Sequence, residues 1–149
     1  MKYFTLFSYR YLGRKNGMDG QSETEKVRVD IIENQAMDFR NGFVGLCYRA
    51  SPFAEKAEAY KANVKSILTR FDKFLGDFKF FAGDKITFVD FIMYELLDQH
   101  RIFDATLLKD FHKITAFMKR FEEEPKIASF MKSSKCFKGP INNKMANFK

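Results

Sequence analysis

One stripe of apolar residues limits this chain more than anything else in it. Val29, Ile32, Ala36, Phe39, Phe43 and Leu46 follow one another at steps of three, four, three, four and three. That spacing is one face of an α-helix held for nearly five turns, too long for a strand and too regular for a loop. Ser22 and Glu25 supply an S-x-x-E capping box at its start, so the helix is predicted from Ser22 to about Cys47. Eight Gly and three Pro in 149 residues leave few places to break the chain. A sandwich or barrel needs many more turns, so the expectation is an all-α bundle of about five helices.

The other helices follow from the same spacing. Ser51-Pro52 predicts a helix start, with Ser51 as N-cap and Pro52 at the first helical position. Ala57, Tyr60, Val64, Ile67, Phe71 and Phe74 then face inward, and Gly76 closes the helix. Two long helices with a short link predict an antiparallel pair. After an aromatic loop, Thr87 and Asp90 form a T-x-x-D cap, and Ile86 with Phe91 a hydrophobic staple. The helix from Phe88 to about Ile102 is apolar nearly all round, which predicts a central position. Its free N–H groups cannot reach water there, so loss of Asp90 is expected to cost about 1–2 kcal/mol. A further helix is predicted over Leu107–Phe121 and a short one over Lys126–Ser133, followed by an extended, solvated tail from Ser134 to Lys149. The opening residues, Met1–Leu12, are read as the end of a helix.

Charge and cysteine content exclude several classes. The net charge of +7 is concentrated at the ends. Residues 125–149 carry six Lys and no acid, residues 1–20 carry four basic residues and one acid, and the stretch between is near balance. Lysines spread over a tail are not a nucleic-acid motif, so no nucleic-acid partner is expected. No run of about eighteen apolar residues without charge occurs, so neither a span nor a membrane partner is expected. Cys47 and Cys136 stand apart from each other and from any Cys/His cluster, which predicts unpaired thiols, no metal site and a cytoplasmic setting. Cys47 is expected to be inert. Cys136, flanked by Lys135 and Lys138, is expected to be exposed. His100 and His112 show no clear partner in sequence and read as packed or surface residues.

The first long helix carries a second stripe, Ile31, Asn34, Asp38, Asn41, Gly45 and Tyr48, about 200° around the axis from the core stripe. Amides, a carboxylate, a glycine and a phenol suit a cleft or a partner as well as they suit solvent, and the sequence leaves both open.

At this point the residues resemble a known family. V-R-V-D-I-I-E-N-Q-A-M-D (27–38), L-C-Y (46–48), F-A-G-D-K-I-T-F-V-D-F (81–91), L-D-Q-H-R-I-F (97–103) and M-K-S-S (131–134) resemble, in order, the helical C-terminal domain of mu-class glutathione transferases. The resemblance implies that residues 21–149 are that domain. It implies that residues 1–20 hold a remnant of the last helix of a thioredoxin-like N-terminal domain, seen as R-Y-L-G-R-K (10–15). The family conjugates reduced glutathione to hydrophobic electrophiles as homodimers, with glutathione as co-substrate and no other cofactor.

Residue by residue, the resemblance implies that Asp38 reaches the glutamyl amine of glutathione held by the other subunit. Tyr48 overhangs the electrophile site as a possible hydrogen-bond donor, and Asn41, Val44 and Asn142 line that site. The family has an apolar residue where Asn142 stands. Arg10, Asp30 and Glu33 match charges that meet across the dimer axis, while Thr87 and Asp90 are the structural N-cap. Phe4-Thr5 replaces the family's Gln-Ser pair for the glutamyl group. No tyrosine stands in a thiol-activating context, since Tyr3 has no strand–helix unit after it. The expected activity of the chain alone is therefore low. The alternative is a non-catalytic module for binding hydrophobic ligands or for dimerisation.

Overall fold

The structure is a computed structural model that describes residues 2–137 and 139–148, with side chains described from Phe7 onward. Among the described residues there are six helices and no strand: α1 (Lys2–Lys15), α2 (Glu23–Arg49), α3 (Phe53–Leu75), α4 (Phe88–Phe103), α5 (His112–Glu123) and α6 (Pro125–Lys132). The all-α class holds, with one helix more than expected. The extra one is α1, a full helix of 14 residues and not the final turn alone.

The α2 stripe does what its spacing requires. Val29, Ile32, Ala36, Phe39, Phe43 and Leu46 are all buried. Ser22 caps the helix: its Oγ accepts from the Glu25 N–H at 3.2 Å, and the Glu25 carboxylate accepts from the Ser22 N–H at 3.0 Å and the Gln21 N–H at 2.6 Å. Those two backbone N–H donors hold the Glu25 pKa below its ordinary value. Helix α4 lies at the centre, packed against α1, α2 and α5. Nine of its sixteen residues are buried, and the polar side chains that are not buried are confined to one strip, Glu95, Asp98, Gln99 and Arg101.

The N-terminus of α4 is closed by Asp90. One carboxylate oxygen accepts the Thr87 N–H at 2.7 Å and the Thr87 hydroxyl at 3.0 Å, and the other accepts the Phe81 N–H at 2.8 Å. Asp90 thus ties the aromatic loop to the helix as well as capping it. Arg28 of α2 ties the same loop to the end of α3, donating to the carbonyls of Phe74 in α3 and Phe81 in the loop at 2.6 and 3.0 Å. Its guanidinium also lies over the rings of Phe74 and Phe78.

Four local expectations need correction. Pro52, not Ser51, is the N-cap of α3, and no side chain caps that end. Burial on α3 centres on Val64, Leu68, Phe71 and Leu75, with Tyr60, Ile67 and Phe74 half-buried, so the buried line lies to one side of the predicted one. Helix α5 starts at His112, because Asp104 captures the Thr106 N–H at 2.9 Å and its hydroxyl at 2.7 Å. Such an Asx turn competes with helix formation, and Leu107 and Leu108 bury their side chains from turns instead.

The fourth correction concerns the tail, which is not a solvated extension. Ala146 is buried, and Ile141 and Phe148 pack with Phe43, Leu46, Cys47 and Ala57 in a second apolar cluster. The Asn147 N–H donates to the Cys47 carbonyl at 2.7 Å, and the Asn147 side-chain amide donates to the Ala50 carbonyl at 3.0 Å. Those are carbonyls at the end of α2 that the helix itself leaves unpaired, so the tail serves as the C-cap. Sequence patterning sees caps made within a few residues and is blind to one supplied from almost a hundred residues away.

Candidate functional site

The second stripe of α2 points away from the core. Asp38 and Asn41 are exposed, Val44 and Gly45 are half-buried, and so is Tyr48. Among the described residues Asp38 makes no ion pair or hydrogen bond, whereas Glu33 on the same helix is paired with Arg10. A free helix carboxylate can receive an ammonium group by a charge-assisted hydrogen bond.

Tyr48 is held by the tail. Its hydroxyl accepts from the backbone N–H of Asn143 at 3.3 Å. A phenol that accepts one bond keeps its own proton for donation, so the contact orients Tyr48 without spending its donor. Asn142 donates its side-chain amide to the Phe148 carbonyl at 3.0 Å and also meets the Cys47 thiol. Its polar head is thus used in folding the tail back. Cys47 is fully buried under this tail, and burial raises its pKa despite the Asn142 contact, which fits an inert thiol. Cys136 is half-buried.

The structure brings Arg10 and Glu33 together within one chain. Arg10 Nε lies 2.8 and 2.7 Å from the two Glu33 oxygens, and Nη2 lies 2.5 Å from one of them. Glu33 is 1% exposed, so its charge is buried and depends on Arg10. The pair raises the Arg10 pKa, with a smaller contribution from Asp30. Asp30 itself is exposed. The side chains of Tyr3, Phe4 and Thr5 lie outside the described residues.

Behind the α2 face sits a group that sequence reasoning undervalued. His100 is fully buried and stacked on Phe39, with ring centroids 4.1 Å apart. Its Nε2 is 2.8 Å from the Tyr60 hydroxyl and its Nδ1 is 2.6 Å from the Leu96 carbonyl. Burial pushes its pKa down to about 4. The partner missing from sequence is Tyr60, forty residues away on another helix. His100 is sealed from solvent, so it holds helices together and performs no proton transfer with a ligand. No group of three or more His, Cys, Asp or Glu side chains able to hold a metal occurs among the described residues.

An open groove of about 390 Å³ runs between α2 and α3 beside this face, lined in part by Gly42, Gly45, Arg49, Lys56 and Tyr60. The groove is open at Gly45, where a Cβ would meet nothing within 4 Å.

An all-helical bundle with a central capped helix, a free aspartate and a tail-held tyrosine on one long helix defines a class of domain, and sequence comparison agrees with it. The family described as "Glutathione S-transferase, C-terminal domain" matches residues 37–134, and the chain belongs to that family. Its curated relatives include Glutathione S-transferase Mu 5 of Rattus norvegicus and Glutathione S-transferase Mu 3 of Homo sapiens. Each is 50% identical over 139 residues, covering 93% of this chain and 61% of the relative. The chain thus spans about three fifths of the length of these mu-class relatives. Among solved structures, the glutathione S-transferase Blo t 8 superposes with a TM-score of 0.86 at 28% identity, over 95% of this chain and 67% of that one. A pi-class glutathione S-transferase of Onchocerca volvulus gives 0.82 at 25% identity.

Proposed function

We propose that this chain is the electrophile-side part of a cytoplasmic mu-class glutathione transferase, and that by itself it conjugates glutathione poorly or not at all. In this reading residues 21–149 form the C-terminal domain and α1 corresponds to the end of a thioredoxin-like domain. Asp38 orients the glutamyl amine of glutathione in a paired subunit. Tyr48 donates to the electrophile, with Asn41 and Val44 as the adjacent wall. Asn142 holds the tail in place and lines the site less than the resemblance implies. Arg10 and Glu33 serve first as an intrachain strut, with Asp30 left to meet a partner.

The observation that carries this reading is an uncommitted Asp38 on the same helix as a Tyr48 whose hydroxyl accepts from the Asn143 N–H. Most free glutathione is protonated at neutral pH, and attack needs the thiolate. A carboxylate such as Asp38 cannot stabilise a thiolate, so the group that lowers the thiol pKa has to come from elsewhere. Orientation alone supplies only part of the rate.

The test is a conjugation assay with glutathione and a chromogenic aryl halide. The purified chain should show no turnover above the uncatalysed rate. Co-expression with a mu-class thioredoxin-like domain should restore turnover, and Tyr48→Phe should change the restored rate. Family-like turnover by the chain alone would overturn the reading.

A further inference from the structure

The basic segment after α5 is not a solvated extension, because it is fixed at both ends. Ile127 and Met131 of α6 pack against the main core, and Ile141 packs into the second cluster. The Ser133 N–H donates to the Phe130 carbonyl and the Cys136 N–H to the Ser133 carbonyl, so a tight turn follows α6. Between these anchors the chain presents large apolar side chains to solvent, with Phe130 52% and Phe137 80% exposed.

The same segment carries Lys126, Lys132, Lys135 and Lys138, and residues 125–149 contain no acid. Of the three glutamates just before it, Glu122 accepts from Tyr94 and Arg101 and Glu123 lies 3.8 Å from Lys119, which leaves the single charge of Glu124 against the lysines.

We propose that residues 126–137 form a docking face for an anionic lipid surface, with Phe137 and Phe130 entering the headgroup layer and Lys126, Lys132 and Lys135 lying over it. Lysines are compact point charges suited to a diffuse negative surface, and the segment has no Arg to form the planar fork that picks out single phosphates. Phenylalanine has no polar atom and gains from the acyl boundary. Because both ends of the segment are already fixed, docking orders little additional chain. Among the described residues no helix is long and apolar enough to cross a membrane, so the proposed contact is peripheral.

The experiment is flotation of the full chain with vesicles of phosphatidylcholine alone or of phosphatidylcholine with one quarter phosphatidylserine, at low and high salt. Binding is expected only with phosphatidylserine, and it should weaken as salt rises. At about fivefold per charge removed, the double reversal Lys132→Glu/Lys135→Glu should cut binding by roughly twentyfold or more. Phe137→Ser, which leaves the net charge unchanged, should weaken it several-fold, while Phe7→Ser on α1 should not. All four positions are exposed, and circular dichroism confirms that the variants fold. Equal binding to both vesicle types, or full binding by Phe137→Ser, would overturn the proposal. So would retention of duplex DNA with no retention of phosphatidylserine vesicles. The readout requires no conjugation, so it stands or falls separately from the glutathione reading.

Discussion

The Tyr60 hydroxyl donates to Nε2 of His100 across 2.8 Å, and the geometry on the other side of the ring fixes that direction. Nδ1 faces the Leu96 carbonyl at 2.6 Å, and a carbonyl oxygen can only accept. Nδ1 therefore carries the proton and Nε2 the lone pair. Three helices, α2 through Phe39, α3 through Tyr60 and α4 through His100, meet at this ring.

Tyr60→Phe leaves the buried Nε2 without a donor. It should lower stability by about 1–3 kcal/mol, read as a lower urea midpoint with an unchanged m-value. An unchanged midpoint would mean that water replaces the phenol.

The pH response involves two buried groups of opposite sign. His100 titrates at about 4 in the fold against 6.5 when unfolded, so its contribution is present above pH 6.5 and lost as pH falls toward 4. Asp90 runs the other way. Burial outweighs its three donors and pushes it up to about 6, against 3.8 when unfolded. The fold therefore takes up a proton there as pH falls from 6 to 4, which stabilises it. Each effect is about 3 kcal/mol, and across pH 4–6 they largely cancel. Asp90→Asn removes one side of this balance. Its stability should then fall more steeply than the parent's between pH 6.5 and 4, and parallel curves would sink the idea.

Glu33 is the buried half of its pair, while the Arg10 side chain is 49% exposed. Arg10→Met should cost about 1–3 kcal/mol, less than for a fully buried pair because solvent screens the guanidinium. The double variant Arg10→Met/Glu33→Met should be more stable than Arg10→Met alone, because it removes the stranded carboxylate. A thermal-melt double-mutant cycle that is simply additive would show the pair to be idle.

The tail shields one thiol. In the intact chain, titration with a coloured disulfide reagent should modify Cys136 quickly and Cys47 slowly. Ending the chain at Gly139 removes Ile141, Ala146 and Phe148 from the second cluster and the cap on α2. Both thiols should then react quickly. A Cys47 that stays slow would show that the tail is not what covers it.

Much of this fold was legible because helices write their pattern locally. The α2 stripe, its Ser22 cap and the Asp90 cap of α4 each lie within a few residues of one another, and all are found in place. The α5 boundary was missed because the Asp104–Thr106 turn interrupts an apolar spacing that continues through it. The site was legible only in part. Asp38, Asn41 and Tyr48 share a face that spacing alone reveals. Nothing local in the sequence tells that Asn143 meets Tyr48, that Asn147 meets Cys47, or that Tyr60 meets His100, since each is a contact between distant segments.

The closure of α2 by Asn147 bears on the order of assembly. A chain made from its N-terminus can form α2 and α3 early, because those helices touch soon after synthesis. The wall around Tyr48 cannot be finished at that stage. It waits for residues 141–148, so the region proposed to meet substrate is the last part of this polypeptide to mature. A chain cut before residue 141 would keep the residues of all six helices and leave Tyr48 unsecured.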